Sequence, residues 1–188
     1  MSAAAAVVRE ATEADAAACA AIYAPYVRDS AITFELDPPG AEEMARRIAN
    51  AARAHAWLVL EDATQAVGYA YGGVFNPRPA YRWACEVSVY LELGRRRTGG
   101  GRALYEALFT RLATRGYRMA VAGMTLPNDA SVGLHRAMGF QDVGTYTRIG
   151  FKHGRWHDVL WLKLDLADES APGPLRKPVL PDKGRSAE

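Results

Sequence analysis

Cysteine is scarce in this chain of 188 residues, with only Cys19 and Cys85, far apart in sequence. Two cysteines at this separation make neither a disulfide framework nor the paired spacing of a zinc site. The four histidines add no ligand pattern either. We therefore expect no metal centre and free thiols, which are typical of a cytoplasmic protein.

Net charge and long apolar runs are lacking as well. The 23 Lys and Arg residues nearly balance the 21 Asp and Glu residues, which leaves +2 at pH 7. A protein that binds a nucleic-acid duplex spreads basic charge over a whole face, so we expect no nucleic-acid partner. No apolar run approaches the ~20 residues of a membrane-spanning helix, and the first six residues lack the basic start of a signal peptide. The sequence predicts neither membrane anchoring nor secretion.

Apolar periodicity predicts short strands that alternate with amphipathic helices. The expected order is β-α-α-β-β-β-α-β-α-β-β, an α/β sandwich in which helices flank a mixed central β-sheet. Residues 1–166 are expected to form this single domain, and the proline-rich, charged residues 167–188 an extended arm. Strands are predicted at residues 7–11, 57–61, 66–74, 87–91, 117–124, 142–150 and 155–165, and residues 30–35 are expected to be extended. The first predicted helix ends at about residue 28. Further helices are predicted at residues 41–54, at residues 99–115 and between residues 128 and 139.

One stretch carries the clearest functional signal. The strand 87–91 runs into a turn rich in arginine and glycine, residues 94–101, which opens a helix. Glycines let main-chain N–H groups approach an anion closely, and a helix N-terminus adds roughly half a positive charge. The turn is therefore expected to bind a diphosphate, with a glycine-rich surface turn as the alternative.

Spacing separates three kinds of phosphate-binding turn. Gly94 and Gly99 are not followed by the Lys-Ser/Thr pair of a P-loop. A dinucleotide fingerprint would need glycine where Leu104 stands. What remains is Arg96-x-x-Gly99-x-Gly101, which resembles the acyl-CoA signature of the GNAT N-acetyltransferases.

A second GNAT pattern follows in the right order: Asn128-x-x-Ser131, with Gly139-Phe140 beyond it. Segments across residues 7–166 also resemble the phosphinothricin acetyltransferases, the bialaphos-resistance type within the GNAT superfamily. Most of these segments lie outside the cofactor turn: Ile32-Thr33-Phe34-Glu35, Ala80-Tyr81-Arg82-Trp83, Glu86-x-Ser88-Val89-Tyr90, Leu126-Pro127-Asn128-Asp129 and Phe151-Lys152-His153-Gly154-Arg155-Trp156-His157-Asp158.

The resemblance implies transfer of an acetyl group from acetyl-CoA to an α-amino group, by direct attack in a ternary complex. Main-chain groups of the fourth strand would bind the thioester and the pantetheine arm, and the following turn would bind the diphosphate. The cofactor-binding residues expected on this basis are Val89, Tyr90, Leu91, Arg96, Arg97, Thr98, Gly99, Gly100, Gly101, Arg102 and Asn128. Arg97 stands where the family usually has glycine.

Two residues are catalytic candidates by the same resemblance. Glu86 is expected to be the general base, directly or through a water; the alternative is a structural carboxylate paired with Arg82 or another cation. His135 stands where many GNAT enzymes carry a tyrosine that protonates the departing thiolate. Its imidazole could do the same or assist deprotonation of the amine, and the alternative is a structural histidine.

The resemblance also implies substrate-binding positions, which in this chain are Phe34, Arg78 and Tyr81. A glutamate-like amino acid with a phosphinate needs forked cationic donors, which arginine supplies. Family members often have lysine where Asn76 stands, so methionine sulfoximine or methionine sulfone are alternative acceptors. A non-catalytic acyl-CoA-binding module and a protein or tRNA acetyltransferase remain as other classes. The resemblance also implies a homodimer.

Overall fold

The computed structural model describes residues 6–95 and 98–167. They form one seven-stranded sheet in the order β1-β2-β3-β4-β5-β7-β6, in which only the β4–β5 pair is parallel. The strands are β1 (Val7–Glu10), β2 (Trp57–Asp62), β3 (Gln65–Val74), β4 (Ala84–Leu91), β5 (Met119–Thr125), β6 (Gln141–Lys152) and β7 (Arg155–Asp165). The helices are α1 (Ala16–Asp29), α2 (Ala41–Ala54), α3 (Gly100–Thr114) and α4 (Asp129–Ala137).

The predicted element order and the mixed sheet flanked by helices are confirmed. β5 starts later than predicted because the N–H of Tyr117 donates to the carbonyl of Leu112 and so closes the end of α3. Residues 30–35 join no strand, and residues 31–33 among them are bends. All but the first residue of the predicted arm 167–188 lie outside the described residues.

Two apolar layers cover the two faces of the sheet. On one face the stripe of Leu104, Leu108 and Leu112 in α3 is fully buried against β2, β4, β5 and β7. On the other face α1 and α2 pack on Trp57 and Tyr69. The two cysteines are free and buried in different layers: Cys19 lies in α1, and Cys85 of β4 lies under α3.

Local signals at the helix ends act as predicted. Thr12 donates its main-chain N–H to the carboxylate of Asp15, 2.8 Å away, in a single turn that leads into α1. Asn128 caps α4, because its Oδ1 accepts from the N–H of Ser131, and Gly139 follows α4 in the left-handed region. None of the helices in the described part of the chain is long and apolar enough to span a membrane.

Candidate active site

The parallel strands β4 and β5 separate soon after they meet. Only three residue pairs join them, from Ala84 with Met119 to Glu86 with Val121. Beyond Glu86 the strands diverge, and the pocket between them is lined by residues 87–90 of β4, residues 122–124 of β5, and side chains that include Ile32, Tyr105 and His135. We refer to this opening as the strand split.

The turn after β4 ends at an open helix terminus. Gly99 has φ +81° and stands at the N-cap of α3 without a side chain that caps the first turn. The first N–H groups of a helix have no partner within it and attract negative charge. Arg102 places a cation in this same first turn, against the helix dipole, and an anion bound there would offset the repulsion.

These features fit the two polar parts of acetyl-CoA. The free edge of β4 at Val89 and Tyr90 suits the amide-bearing pantetheine arm, and the turn Thr98–Arg102 suits the diphosphate. Tyr26 donates to the carbonyl of Leu91 at 2.6 Å, which ties the end of β4 to α1. Arg96 and Arg97, the other predicted phosphate contacts, lie outside the described residues.

Glu86 stands at the point where the strands separate. Within the described residues its carboxylate has no hydrogen bond and no ion pair, and burial raises its pKa. The alternative partner Arg82 instead donates to the carbonyl of Pro79 at 2.8 Å and covers the ring of Trp83. The structure therefore leaves Glu86 available to an incoming group.

His135 is held inside the strand split by hydrogen bonds at both ring nitrogens. Its Nδ1 lies 2.8 Å from the carbonyl oxygen of Ser131, which can only accept, so Nδ1 carries the proton. Burial lowers the pKa of His135, an effect that the bond to Ser131 partly offsets, and the imidazole is neutral at pH 7. Nε2 must then accept from the hydroxyl of Tyr105, 2.9 Å away.

Tyr105 is the residue that sequence reasoning missed. It lies in the apolar stripe of α3 and is fully buried, so its position predicts an ordinary core residue. Tyr105 nevertheless lines the strand split, and its hydroxyl bonds to His135 there. A buried tyrosine hydroxyl needs a hydrogen-bond partner, and this requirement was the available signal. Asn128, predicted as a cofactor contact, lines the same pocket while its Oδ1 caps α4.

Two of the three predicted substrate residues, Tyr81 and Phe34, connect through ring contacts to the sheet face that carries Glu86. Side chains alternate along strands, so Glu86, its partner Val121, and Gly123 with its partner Trp161 share one face. Trp161 contacts Phe75, which in turn contacts Tyr81 in the loop before β4.

Phe34 reaches the same face from the other side. Its ring rests on Gly150 of β6 and lies 6.1 Å from the ring of His157, one of the inward residues of β7. We call residues 30–35 the acceptor loop. Arg78 is exposed, and within the described residues its guanidinium has no ion pair or hydrogen bond. In the same part of the chain no three metal-binding side chains form a group that could hold an ion.

The comparison with known proteins agrees with this geometry. The model of the acetyltransferase (GNAT) domain matches residues 8–161. The chain belongs to the GNAT acetyltransferase family. The predicted fold and the predicted membership of the GNAT superfamily are thereby confirmed.

Two activity names recur among the relatives of this GNAT acetyltransferase. It is 36% identical to phosphinothricin N-acetyltransferase of Streptomyces viridochromogenes, across 90% of this chain and 92% of that relative. It is 34% identical to L-methionine sulfoximine/L-methionine sulfone acetyltransferase of Pseudomonas paraeruginosa, across 85% and 94%. Among solved structures, the phosphinothricin acetyltransferase of Sinorhizobium meliloti in complex with AcCoA matches with a TM-score of 0.86 and 35% identity, over 95% of this chain and 97% of that one.

Gly99→Ala tests the turn. An alanine in the left-handed region costs about 1–3 kcal/mol of backbone strain, so we expect the Kd for coenzyme A, measured by calorimetry, to rise at least about fivefold. Gly133→Ala is the matched control, because Gly133 lies inside α4 with open space at its Cβ position and no positive φ. Equal affinities for the two variants would remove the turn from coenzyme A binding.

Proposed function

We propose that this GNAT acetyltransferase transfers the acetyl group of acetyl-CoA to the α-amino group of phosphinothricin or a closely related amino acid. The observation that carries the proposal is a partly buried carboxylate, Glu86, which has no hydrogen bond or ion pair among the described residues and stands where β4 and β5 separate. The names of the relatives support the acceptor class. A bound acetyl-CoA supplies the activated acetyl group as a thioester.

Glu86 acts as the general base in this proposal. The α-amino group of a free amino acid is mostly protonated at pH 7, and only its neutral form is nucleophilic. A carboxylate that faces the ammonium attracts the cation and then accepts its proton. Burial brings the pKa of Glu86 closer to that of the amine, which makes this proton transfer less unfavourable.

Glu86→Gln should lower kcat/KM at least about tenfold, with little change in the Kd for acetyl-CoA. Only the ionised carboxylate accepts a proton, so the activity of the unmodified protein should fall as pH falls through the pKa of Glu86. Because burial raises that pKa, the midpoint of the acid limb in the kcat/KM profile should lie at a pH above the ordinary glutamate pKa of about 4.3.

The glutamine variant should lose this acid limb. Glu42→Gln, a change at an exposed glutamate of α2, serves as the control and should keep both the rate and the limb. A normal turnover rate in Glu86→Gln would exclude Glu86 from the reaction.

The departing thiolate needs a proton, and we infer that the Tyr105–His135 pair provides it. The Nδ1 proton of His135 is held by the carbonyl of Ser131, and Nε2 has none to give in the neutral ring. The transferable proton of this pair is therefore the hydroxyl proton of Tyr105, which is donated to Nε2 in the free protein and leaves that bond to reach the thiolate. In this proposal His135 orients that hydroxyl, and the expected role of His135 in thiolate protonation is shared with Tyr105.

Tyr105→Phe should lower kcat about a hundredfold, the usual size of an acid-catalysis effect, while the Kd for acetyl-CoA stays nearly constant. Tyr117→Phe is a matched control, since Tyr117 is also buried under α3 and donates to the carbonyl of Ala54 at 3.1 Å, outside the split. The Tyr117→Phe variant should have a lower free energy of unfolding and an unchanged kcat. Similar kcat values in the two variants would contradict a role of Tyr105 in proton transfer.

A specific observation favours the less anionic acceptors as a second candidate. Asn76 stands where members of the family that the sequence resembles often have lysine. Its Oδ1 accepts from the main-chain N–H of Arg78 at 3.0 Å. The side chain shapes the loop and adds no charge. With one cation fewer, methionine sulfone or methionine sulfoximine suits the loop better than the anionic phosphinate does.

Steady-state kcat/KM values across phosphinothricin, methionine sulfoximine, methionine sulfone, ordinary amino acids and a short peptide test the acceptor class. Asn76→Lys should raise the preference for phosphinothricin over methionine sulfone at least about fivefold, through an added ion pair. Asn50→Lys, on the exposed side of α2, should leave the ratio unchanged. Reaction of the peptide alone would indicate a protein-modifying enzyme, and coenzyme A binding without thiol release a non-catalytic module.

We also infer that the protein forms a homodimer through the β6–β7 edge of the sheet. β6 is the terminal strand, and five large apolar side chains of this hairpin are more than half exposed: Val143, Tyr146, Ile149, Phe151 and Trp156. Apolar groups concentrated on a free sheet edge indicate a covered surface.

Light scattering should give the mass of two chains. Tyr146→Asp should give that of one chain, because burying an unpaired charge in the interface is unfavourable. Val7→Asp changes an apolar residue of similar exposure, 58% against 61%, at the opposite edge strand and should leave the dimer intact. A monomeric unmodified protein would overturn the inference.

A further inference from the structure

Lys152, the last residue of β6, is a buried lysine with no part in the reaction described above. Only 4% of its surface is exposed, and its Nζ donates to the carbonyls of Val27 at 2.6 Å and Thr33 at 2.8 Å. Burying a charged amine is costly unless strong hydrogen bonds compensate. The side chain therefore joins the β6–β7 hairpin to two points on α1 and the acceptor loop.

The bond to Val27 closes the C-terminus of α1. The last four carbonyls of a helix have no partner within it, and a cation at that end is favourable to the helix dipole. The hydroxyl of Ser30 donates to the carbonyl of Tyr26 at 2.7 Å, and Lys152 donates to the next carbonyl along the helix, that of Val27. Together they determine where the chain leaves the helix and enters the acceptor loop.

Further bonds hold the rest of the acceptor loop. His153, next to Lys152, lies with its Nε2 3.2 Å from the carbonyl of Ser30. From the other side, the hydroxyl of Tyr23 lies 2.6 Å from Oγ1 of Thr33, and Arg47 of α2 pairs with Glu35 at 2.7 Å. The loop is therefore held between the two helices and the hairpin.

Two side chains of the acceptor loop reach the site. Ile32 lines the strand split together with Ser88 and His135. Phe34 rests on Gly150, where the ring occupies the space of a Cβ atom. The position of the loop thus sets one wall of the strand split.

We propose that Lys152 is a positioning residue that holds the acceptor loop as a wall of the acceptor pocket and thereby sets the affinity for the acceptor. The proposal rests on the proposed function and specifies which residue positions the loop beside the acceptor. Its observable signature is a change in the KM for the acceptor, separate from kcat and from binding of acetyl-CoA.

Lys152→Met keeps the length of the side chain and removes its donors. We expect the acceptor KM to rise at least about tenfold, with kcat and the Kd for acetyl-CoA nearly unchanged, because a contact with the bound acceptor is lost to the same extent in ground and transition states. Lys163→Met is the matched control: Lys163 lies on β7 and pairs with Asp165 at 3.6 Å, and this variant should keep the acceptor KM.

Hydrogen exchange of residues 30–36 provides a readout without any acceptor. In Lys152→Met these amides should exchange at least about tenfold faster, while those of β4 keep their protection. Absence of acetylation by the unmodified protein would refute the proposed function, and the exchange rates would still report on the loop. Unchanged exchange at residues 30–36, or an unchanged acceptor KM, would overturn the proposal.

Gly150→Ala displaces Phe34 and leaves Lys152 in place. It should raise the acceptor KM in the same way and keep the Kd for coenzyme A. If Lys152→Met fails to fold and binds no coenzyme A, this variant decides: a raised acceptor KM supports the acceptor loop as a wall, and an unchanged one refutes it.

Discussion

The short parallel contact between β4 and β5 is the constraint on which the rest of the site depends. Each of these strands has a long antiparallel partner on its other side, seven residue pairs with β3 for β4 and seven with β7 for β5. The sheet therefore stays intact although its centre opens after three pairs. The main-chain groups that face the opening need polar partners, which a ligand with amides along its length supplies.

Burial acts in opposite directions on the two titratable groups at this opening. It raises the pKa of Glu86 and lowers that of His135, because in both cases it disfavours the charged form. One residue becomes a stronger base and the other stays neutral with a defined tautomer. Both consequences suit a reaction in which an amine loses a proton and a thiolate gains one. The same low-polarity surroundings make the unpaired carboxylate costly in the free protein and favour a bound ammonium group.

Short-range patterns account for most of what could be predicted. The strand 87–91, the turn at Gly99 and the stripe of α3 are local features, and the structure places them as expected. The acceptor loop is different: its sequence is compatible with an extended segment, but Thr33 is bonded by Tyr23 of α1 and by Lys152, which is 119 residues away. The role of Tyr105 was hidden for a related reason, since helical spacing cannot distinguish a hydroxyl that faces a pocket from one in a closed core.

By itself the sequence determined the order of the elements, the turn rich in arginine and glycine before α3, and the family, because periodicity, turn residues and motif spacing are all visible along the chain. Only the tertiary structure decided that Glu86 lacks an ion pair among the described residues, that His135 accepts from Tyr105, and that a lysine of β6 holds the loop after α1. These facts join residues 30 to 125 positions apart. Hydrogen bonding and burial at such separations depend on how the layers pack against the sheet, which no local pattern records.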